Sequence, residues 1–465
     1  MRPILSIAYK TLLRAFHDKL FLVLSLIFII ALQFMPLMLH GDGTASGHLR
    51  IYITYSLNFI IFFLSLTAIF HSSNSIFEEI DKKQIFMLVS KPVSRWKVVA
   101  GHWMGVTALT AIMLTVSSGM NVAGIKWVMS IYKKDMPAKE LENIKSNIFS
   151  AKKTVALNAP NIESRVEEEV LKWKQDNPGK DLDYNILDGI EKSVKRKLFY
   201  TIYCVPPRYE RSWTIGGLSD VSTGSITVRY KYFCSQNPAN AQVMGRWSFG
   251  DKKDPNHIKV ITEKTPETFH DIKIPASLID KNGNLPISFL NLTEEQITLI
   301  FPEKDGIQVL YESGNFIMNY LKGILLILCQ LSFLAATGVM FSTFLSFPVA
   351  CLMTLFVYGV GSDATYFIQA LTQSGDQVST LVHIGQEQPQ SVITFMQKVL
   401  GYLIDFAFPH FDKIDPVTNL TDGIFIGYNM LSYGLIMLSL LKCSLILVFG
   451  SLIFNRREVA RPLIY

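Results

Sequence analysis

The chain is short of charge. Asp, Glu, Lys and Arg make up 18% of its 465 residues, against roughly 25% in soluble domains. The shortfall is uneven: long apolar runs fill both ends and charge gathers in the middle. No G-x-x-x-x-G-K-[ST] loop, G-x-S-x-G elbow, H-E-x-x-H pair or dinucleotide glycine motif occurs, so the phosphate cradles, nucleophiles and zinc ligands those motifs supply are absent. Any ATP used must be bound by another chain. The formal net charge is only +6 and no long basic block occurs, which argues against nucleic acid as a partner. The five cysteines lack metal-site spacing. No acidic residue lies deep in an apolar run, which argues against a proton-coupled carrier.

What is present is hydrophobic: 49% of residues, with a mean hydropathy of +0.28. A membrane protein carrying one large polar insertion fits this pattern. The fold class expected is an α-helical polytopic protein of six transmembrane helices with an inserted extracytoplasmic α+β domain containing a β-sandwich. The spans fall at about 20–39, 51–71, 100–125, 316–341, 345–368 and 426–454, each long enough to cross roughly 30 Å of hydrocarbon at 1.5 Å per residue. The first reads as an anchor that is retained, not as a cleaved signal. Residues 1–19 place Ile4, Ile7, Ala8, Leu12 and Phe16 at helical spacing among Arg2, Lys10, Arg14 and Lys19, the pattern of a cytoplasmic interfacial helix.

The organisation expected is this interfacial helix, then spans one to three over 20–125 with a cytoplasmic elbow at 72–99. An extracytoplasmic domain follows over 126–315, helical over 137–198 and a β-sandwich over 199–312. Spans four to six occupy 316–454, with an outer re-entrant or interfacial segment at 369–425, and 455–465 is a cytoplasmic tail. Lys82, Lys83, Lys91, Arg95 and Lys97 in the elbow and Arg456, Arg457 and Arg461 in the tail outnumber the basic residues of the opposite loops. The positive-inside rule therefore puts both termini in the cytoplasm of a cell (inner) membrane and 126–315 outside.

Polar residues within spans are Gln33, Asn58, Asn121, Asn319, Lys322, Gln330 and Lys442. Asn58, Asn121, Asn319 and Gln330 form either a polar pathway or hydrogen-bonded helix seams, and seams are the commoner use. Cys204 and Cys234 lie in strand-like stretches of the outer domain, where an oxidising compartment allows a disulfide; the alternative is two separate buried thiols. Trp213 and Trp247 read as core residues in preference to a sugar platform. The sequence offers no metal site.

The stretch from Glu79 through "LVSKPVSRWKVVAGHWMG" (88–105) resembles the cytoplasmic loop of type-2 ATP-binding-cassette (ABC) permeases. In that loop an acidic residue precedes L-[LS]-x-[KR]-P-[VI]-S-R and then G-K-x-x-G. Leu88, Ser90, Lys91, Pro92, Val93, Ser94, Arg95, Gly101 and Gly105 match, and His102 stands where the family usually has Lys. "FLAATGVMFSTFLSFPVACLMTLFVYGVG" (333–361) resembles spans four and five of the group associated with copper-enzyme maturation, and "FNRREVARP" (454–462) resembles its charged tail. The pieces 205–218, 245–251 and 274–291 resemble an extracytoplasmic β-domain of some bacterial members. The resemblance implies the permease subunit of a bacterial ABC exporter, in a homodimer or heterodimer with a second permease, working with an ABC ATPase subunit. It implies no catalysis and no cofactor in this chain, with ATP and Mg on the ATPase. It also implies that the elbow docks on the ATPase, with Glu79, Lys83, Pro92, Ser94 and Arg95 as coupling residues. The alternatives are a mechanotransmission subunit that moves its outer domain without passing substrate, and a membrane-anchored scaffold.

Overall fold

A computed structural model describes residues 2–39, 44–83, 94–132, 144, 148–157, 162–178, 184–219, 221, 224–238, 241–251, 257–293, 296–303, 305–373, 396, 399–402, 404–405 and 408–457. It divides into two units, Met1–Ala151 with Gly314–Tyr465, and Lys152–Ser313.

The first unit is helical. The amphipathic α1 (Arg2–His17) leads into α2 (Lys19–Met38), then α3 (Ala45–Asp81) and α4 (Arg95–Tyr132). After the second unit, which holds α5 (Ile162–Asp176) and α6 (Tyr184–Tyr203), come α7 (Phe316–Ser342), α8 (Phe347–Ser362), α9 (Ala364–Gln373), α10 (Pro416–Thr421) and α11 (Tyr428–Arg456). Among the described residues, five helices are long and apolar enough to cross a membrane: α2, α3, α4, α7 and α11. The chain is thus a helical membrane protein with an inserted β domain. The expected fifth span, 345–368, is shorter than foreseen. Here α8 has 16 residues, or about 24 Å against roughly 30 Å of hydrocarbon, and the chain turns at Asp363 before α9 begins.

The central helix is α7, which packs on α3, α4, α8 and α11. Its middle is small and apolar, and Leu334 to Ala336 and Val339 have no exposed surface. Helices α3 and α4 run to 37 and 38 residues, about 55 Å each at 1.5 Å per residue, so both outlast the hydrocarbon. The expected elbow helix over 75–88 is, as far as Asp81, the last turns of α3 itself. It stays helical because Ser72, Ser73, Ser75, Ile76 and Glu79 are buried, so packing and not local propensity fixes it. Residues 84–93, and most of the expected outer helix over 392–408, lie outside the described residues.

The second unit is antiparallel β with α5 and α6 ahead of most of its strands. The order β1 (Ser150–Ala156), β11 (Ile307–Asn315), β4 (Ser225–Tyr230), β8 (His270–Pro275) makes one sheet. A second is β2 (Cys204–Val205), β10 (Leu299–Ile300), β5 (Phe233–Cys234), and a third is β3 (Glu210–Ile215), β9 (Leu285–Asn291), β6 (Val243–Phe249), β7 (Ile258–Lys264). Among the described residues there are therefore three sheets where a sandwich implies two. The stretch around 138–153, expected to be helical, ends in strand β1, because pairing beside β11 outweighs the local Ala and Lys preference. Trp247, fully buried, lies 4.7 Å from the Phe289 ring centroid, and Trp213 5.4 Å from that of Phe301. Both tryptophans are core residues, as the sequence suggested.

Cys204 and Cys234 are free thiols, and the expected disulfide is not made. Strand β10 runs between their strands, with Ile300 opposite Cys204 and Leu299 opposite Cys234. Two inter-strand steps of about 4.8 Å put the backbones nearly 10 Å apart, beyond the roughly 7 Å that a disulfide spans. Asn291, in one of the Asn-Leu-Thr triplets, is fully buried, donates to the carbonyls of Val205 and Ile297, and accepts from the Thr293 N–H.

Candidate functional site

At one end of the helical unit the C-termini of α3, α7 and α11 meet the start of α4 and the whole of α1. Two glycines one turn apart on α4 let α1 lie against it. A Cβ on Gly101 would stand 2.8 Å from Ile7 Cβ, and one on Gly105 would stand 2.7 Å from the Ala8 carbonyl oxygen and from Thr11 Cβ. The backbones approach closely only because both positions lack a side chain. This gives the Gly-His-x-x-Gly segment a structural reason: it is the seat of α1.

Glu79 lies in that seat. It is 1% exposed, and Lys10 Nζ donates to its Oε1 at 3.0 Å, with Arg14 Nη2 at 3.7 Å from the same oxygen. His102 Nε2 donates to its Oε2 at 3.2 Å, and His102 Nδ1 lies 3.0 Å from Thr11 Oγ1. Burying a carboxylate is costly unless it is paired and hydrogen-bonded, and two neighbouring helices, α1 and α4, supply its partners. Glu78, one position earlier, holds Lys82 at 2.5 Å and Arg14 at 3.6 Å and accepts from Asn74 Nδ2 at 3.0 Å. Glu79 is therefore a latch joining α1, α3 and α4, with no face left for docking on another protein.

Arg95 is the second anchor. Its Nη1 donates to the carbonyls of Phe454, Asn455 (3.2 Å) and Arg457 (3.0 Å), and its guanidinium lies 5.4 Å from the Phe454 ring centroid. These are carbonyls at the end of α11, which a helix leaves without intrahelical donors. Arg457 in turn donates to the Thr343 carbonyl just past α7 at 2.7 Å. Ile76, Val99, Val339 and Phe454 form a buried cluster at the same end. Lys83 and Ser94 are exposed at the edges of the elbow, Lys83 with a positive φ of 57°. Pro92 lies outside the described residues.

The intramembrane polar residues separate by environment. Asn121, with no exposed surface, donates to Ser56 Oγ and accepts from Tyr320 O–H at 3.1 Å, while Tyr52 O–H donates to its carbonyl at 3.4 Å. These contacts join α3, α4 and α7. Asn319 donates to the Ile424 carbonyl at 2.8 Å and accepts from the Ile426 N–H at 2.7 Å. Lys322 Nζ lies over the Phe425 and Tyr428 rings at 3.9 and 4.6 Å, and Lys442 donates to the Phe408 carbonyl at 2.6 Å. Gln330 is buried on α7. Asn58 and Gln33 face outward.

Sequence reasoning missed Lys10, Arg14 and His102 as partners of Glu79, and Thr11 as the partner of His102. The available signal was the Gly101–Gly105 spacing together with a basic amphipathic helix that needed a seat. No curated protein and no solved structure matches the chain significantly. Residues 5–142 match the family model described as ABC-2 family transporter protein. That match spans α1 to α4 and so contains the α1 seat, the Glu79 latch and the elbow. The first four helices thus resemble an ABC-2 family transporter domain.

Proposed function

We propose that the chain is the permease subunit of an ABC exporter in a cell (inner) membrane, with both termini cytoplasmic and residues 126–315 outside. In this reading it pairs with a second permease, identical or not, and a separate ATPase binds ATP and Mg. The observation that carries it is the anchoring of the elbow at both ends. Before it, Glu79 ties α3 to α1 and α4; after it, Arg95 ties α4 to the end of α11. A push on residues 82–94 by an ATPase subunit reaches four helices at once and not one loop. Lys83, Pro92 and Ser94 are the coupling residues in contact with the partner. Glu79 and Arg95 act behind them as positioning residues.

The test uses the membrane complex purified with its ATPase. Ser94→Cys should cross-link to the ATPase subunit, and Arg95→Glu should leave the complex assembled while lowering stimulated ATP hydrolysis. Normal stimulation in an assembled Arg95→Glu complex, with no Ser94→Cys cross-link, would remove the elbow from the coupling path.

One observation favours the second reading, mechanotransmission without passage of substrate. Asn121, Ser56, Tyr52 and Tyr320 are buried and satisfy one another inside one chain. A polar route, if used, must then run along outward residues such as Asn58, between two permeases.

A further inference from the structure

A short segment fastens the end of the helical unit where α8 gives way to α9. Phe411 N–H donates to the Gly361 carbonyl, in the last turn of α8, at 2.9 Å. Asp412 Oδ2 accepts from the Thr365 N–H, at the start of α9, at 3.2 Å. A Cβ on Gly361 would stand 2.7 Å from Pro409 Cγ, so the segment closes on this corner only because that position has no side chain. From α11, Lys442 donates to the Phe408 carbonyl at 2.6 Å, and the Tyr433 hydroxyl hydrogen-bonds the His410 backbone. The Phe411 ring packs on Phe333 of α7, 5.8 Å between centroids. Residues 408–412 thus tie α8, α9 and α11 together.

His410 sits in the middle of that segment and is 4% exposed. Its Nε2 lies 3.0 Å from Asp405 Oδ1 and 3.3 Å from the Asp405 carbonyl oxygen, so this nitrogen carries the hydrogen of the neutral ring. Nδ1 is buried with no hydrogen-bond partner among the described residues, and Asp412 Oδ1 stands 4.0 Å from it. A charged ring fits this place poorly. Asp405 is 56% exposed, so water screens its attraction. Asp412 is beyond hydrogen-bond reach and already holds Thr365. Lys442 comes from α11 and is 9% exposed, and Lys413 lies in the 3-10 turn Asp412–Ile414. Burial first, and then the Lys413 and Lys442 ammonium groups, hold the His410 pKa below its ordinary value against the pull of Asp405.

We infer that His410 is a pH-sensitive clasp, closed while its ring is neutral, which releases residues 408–412 from α8, α9 and α11 when the ring takes up a proton. The open state binds that proton more readily than the closed one. Closing is therefore fully stabilised above the ordinary histidine value of about 6.5, and it weakens as the pH falls below that value. An imidazolium that leaves the buried place enters water, where its charge is solvated and Asp405 remains within reach. Release frees the Gly361 carbonyl of α8 and the Thr365 N–H of α9, so the corner between these helices can move away from α11. The side of the membrane on which the pH is sensed rests on the topology proposed above, which places this segment outside.

The test is amide hydrogen exchange of the full-length chain in lipid nanodiscs, from about pH 7.5 to about pH 5, a range that charges an ordinary histidine. Rates are corrected for the intrinsic pH dependence of exchange. Peptides covering 361–367 and 408–412 should lose protection on acidification, by at most about tenfold per pH unit, the limit for one proton taken up on opening. His410→Gln still donates to Asp405 but takes up no proton, and it should stay protected throughout. Unchanged or increased protection at the acidic end overturns the inference, and so does an equal loss in His410→Gln. Should His410→Gln be open at every pH, exchange of the ring C2 hydrogen in the unaltered chain reads the titration of His410 directly. A midpoint below the ordinary histidine value supports the clasp; one above it means that the carboxylates hold the charge inside, and the inference falls. Topology is checked separately at Tyr402, which is exposed: Tyr402→Cys should react with an impermeant maleimide on intact cells. Labelling only after lysis would overturn sensing of the exterior and leave the exchange result standing.

Discussion

Replacing Glu79 by alanine separates the latch from a docking residue. The side chain is 1% exposed and has three basic neighbours of different standing. Lys10 is 51% exposed and returns to water once released, so its share is that of a surface pair, about 0.2–1 kcal/mol. Arg14 keeps Glu78 as a partner. His102 is 1% exposed, and its Nε2–H is left buried without an acceptor, which costs about 1–3 kcal/mol. The sum is about 1–4 kcal/mol, which raises the frequency with which α1 leaves its seat roughly 7- to 700-fold. Hydrogen exchange on the membrane-embedded protein reads this directly in residues 2–17. Lys10→Ala should change the same peptides less than about fivefold, within the surface-pair range, and Glu79→Gln should fall between the two because its amide oxygen still accepts from His102. Unchanged protection of residues 2–17 in Glu79→Ala, with binding of the ATPase lost, would refute the latch and return Glu79 to the docking surface.

Three further outcomes are expected. Gly105→Leu should undock α1 more severely than Glu79→Ala, because its Cβ alone meets the Ala8 carbonyl oxygen at 2.7 Å and overpacking costs about 1–3 kcal/mol before the rest of the side chain is placed; exchange in residues 2–17 checks it. Alkylation of the unfolded, non-reduced protein should modify both Cys204 and Cys234. In the folded domain burial, reinforced by Glu267, pushes the Cys234 thiol up to about 11, so its alkylation rate should still be climbing between pH 9 and 10, where an ordinary thiol is already levelling off. Asn121→Leu should lower thermal stability by about 1–2 kcal/mol, because Tyr320 keeps the Ser118 carbonyl and Ser56 keeps that of Tyr52. An intact fold with transport abolished would instead make Asn121 part of a pathway.

Hydropathy located five of the six expected spans, because burial in lipid demands a long apolar run, and it overran at 345–368, where the apolar helix has only 16 residues. It failed where polar residues continue a helix. Ser72, Ser73 and Ser75 read as the start of a loop, yet they are buried residues of α3 whose small side chains let neighbouring helices close in. In the β domain the strand-like segments were legible from alternation, but the strand order was not. Whether Cys204 could reach Cys234 depended on β10, which arrives from much later in the chain and separates them. The elbow motif was readable as a motif, and the roles within it were only partly so. A charged residue beside a turn looks the same in sequence whether it faces a partner or a neighbouring helix. The partners of Glu79 are 69 positions before it at Lys10 and 23 after it at His102, beyond the reach of any local pattern.

The distribution of polar contacts bears on how a push at the elbow would travel. At the elbow end, charged groups hold helices through side chains that are partly exposed, such as Lys10 and Arg14, and such contacts can be exchanged for water at small cost. In the middle, Asn121, Ser56 and Tyr320 join α3, α4 and α7 through groups with almost no exposed surface, and opening them leaves buried donors unpaired. At the far end, Asn319 grips the backbone on both sides of Phe425, and Lys322 adds the Ile426 carbonyl. The contacts least costly to remake are therefore the partly exposed Lys10 and Arg14 pairs beside the elbow, while the buried Glu79–His102 pair and the three-helix centre cost more to open. A load applied at residues 82–94 should shift α1 and the end of α11 first, and carry α3, α4 and α7 together as one piece.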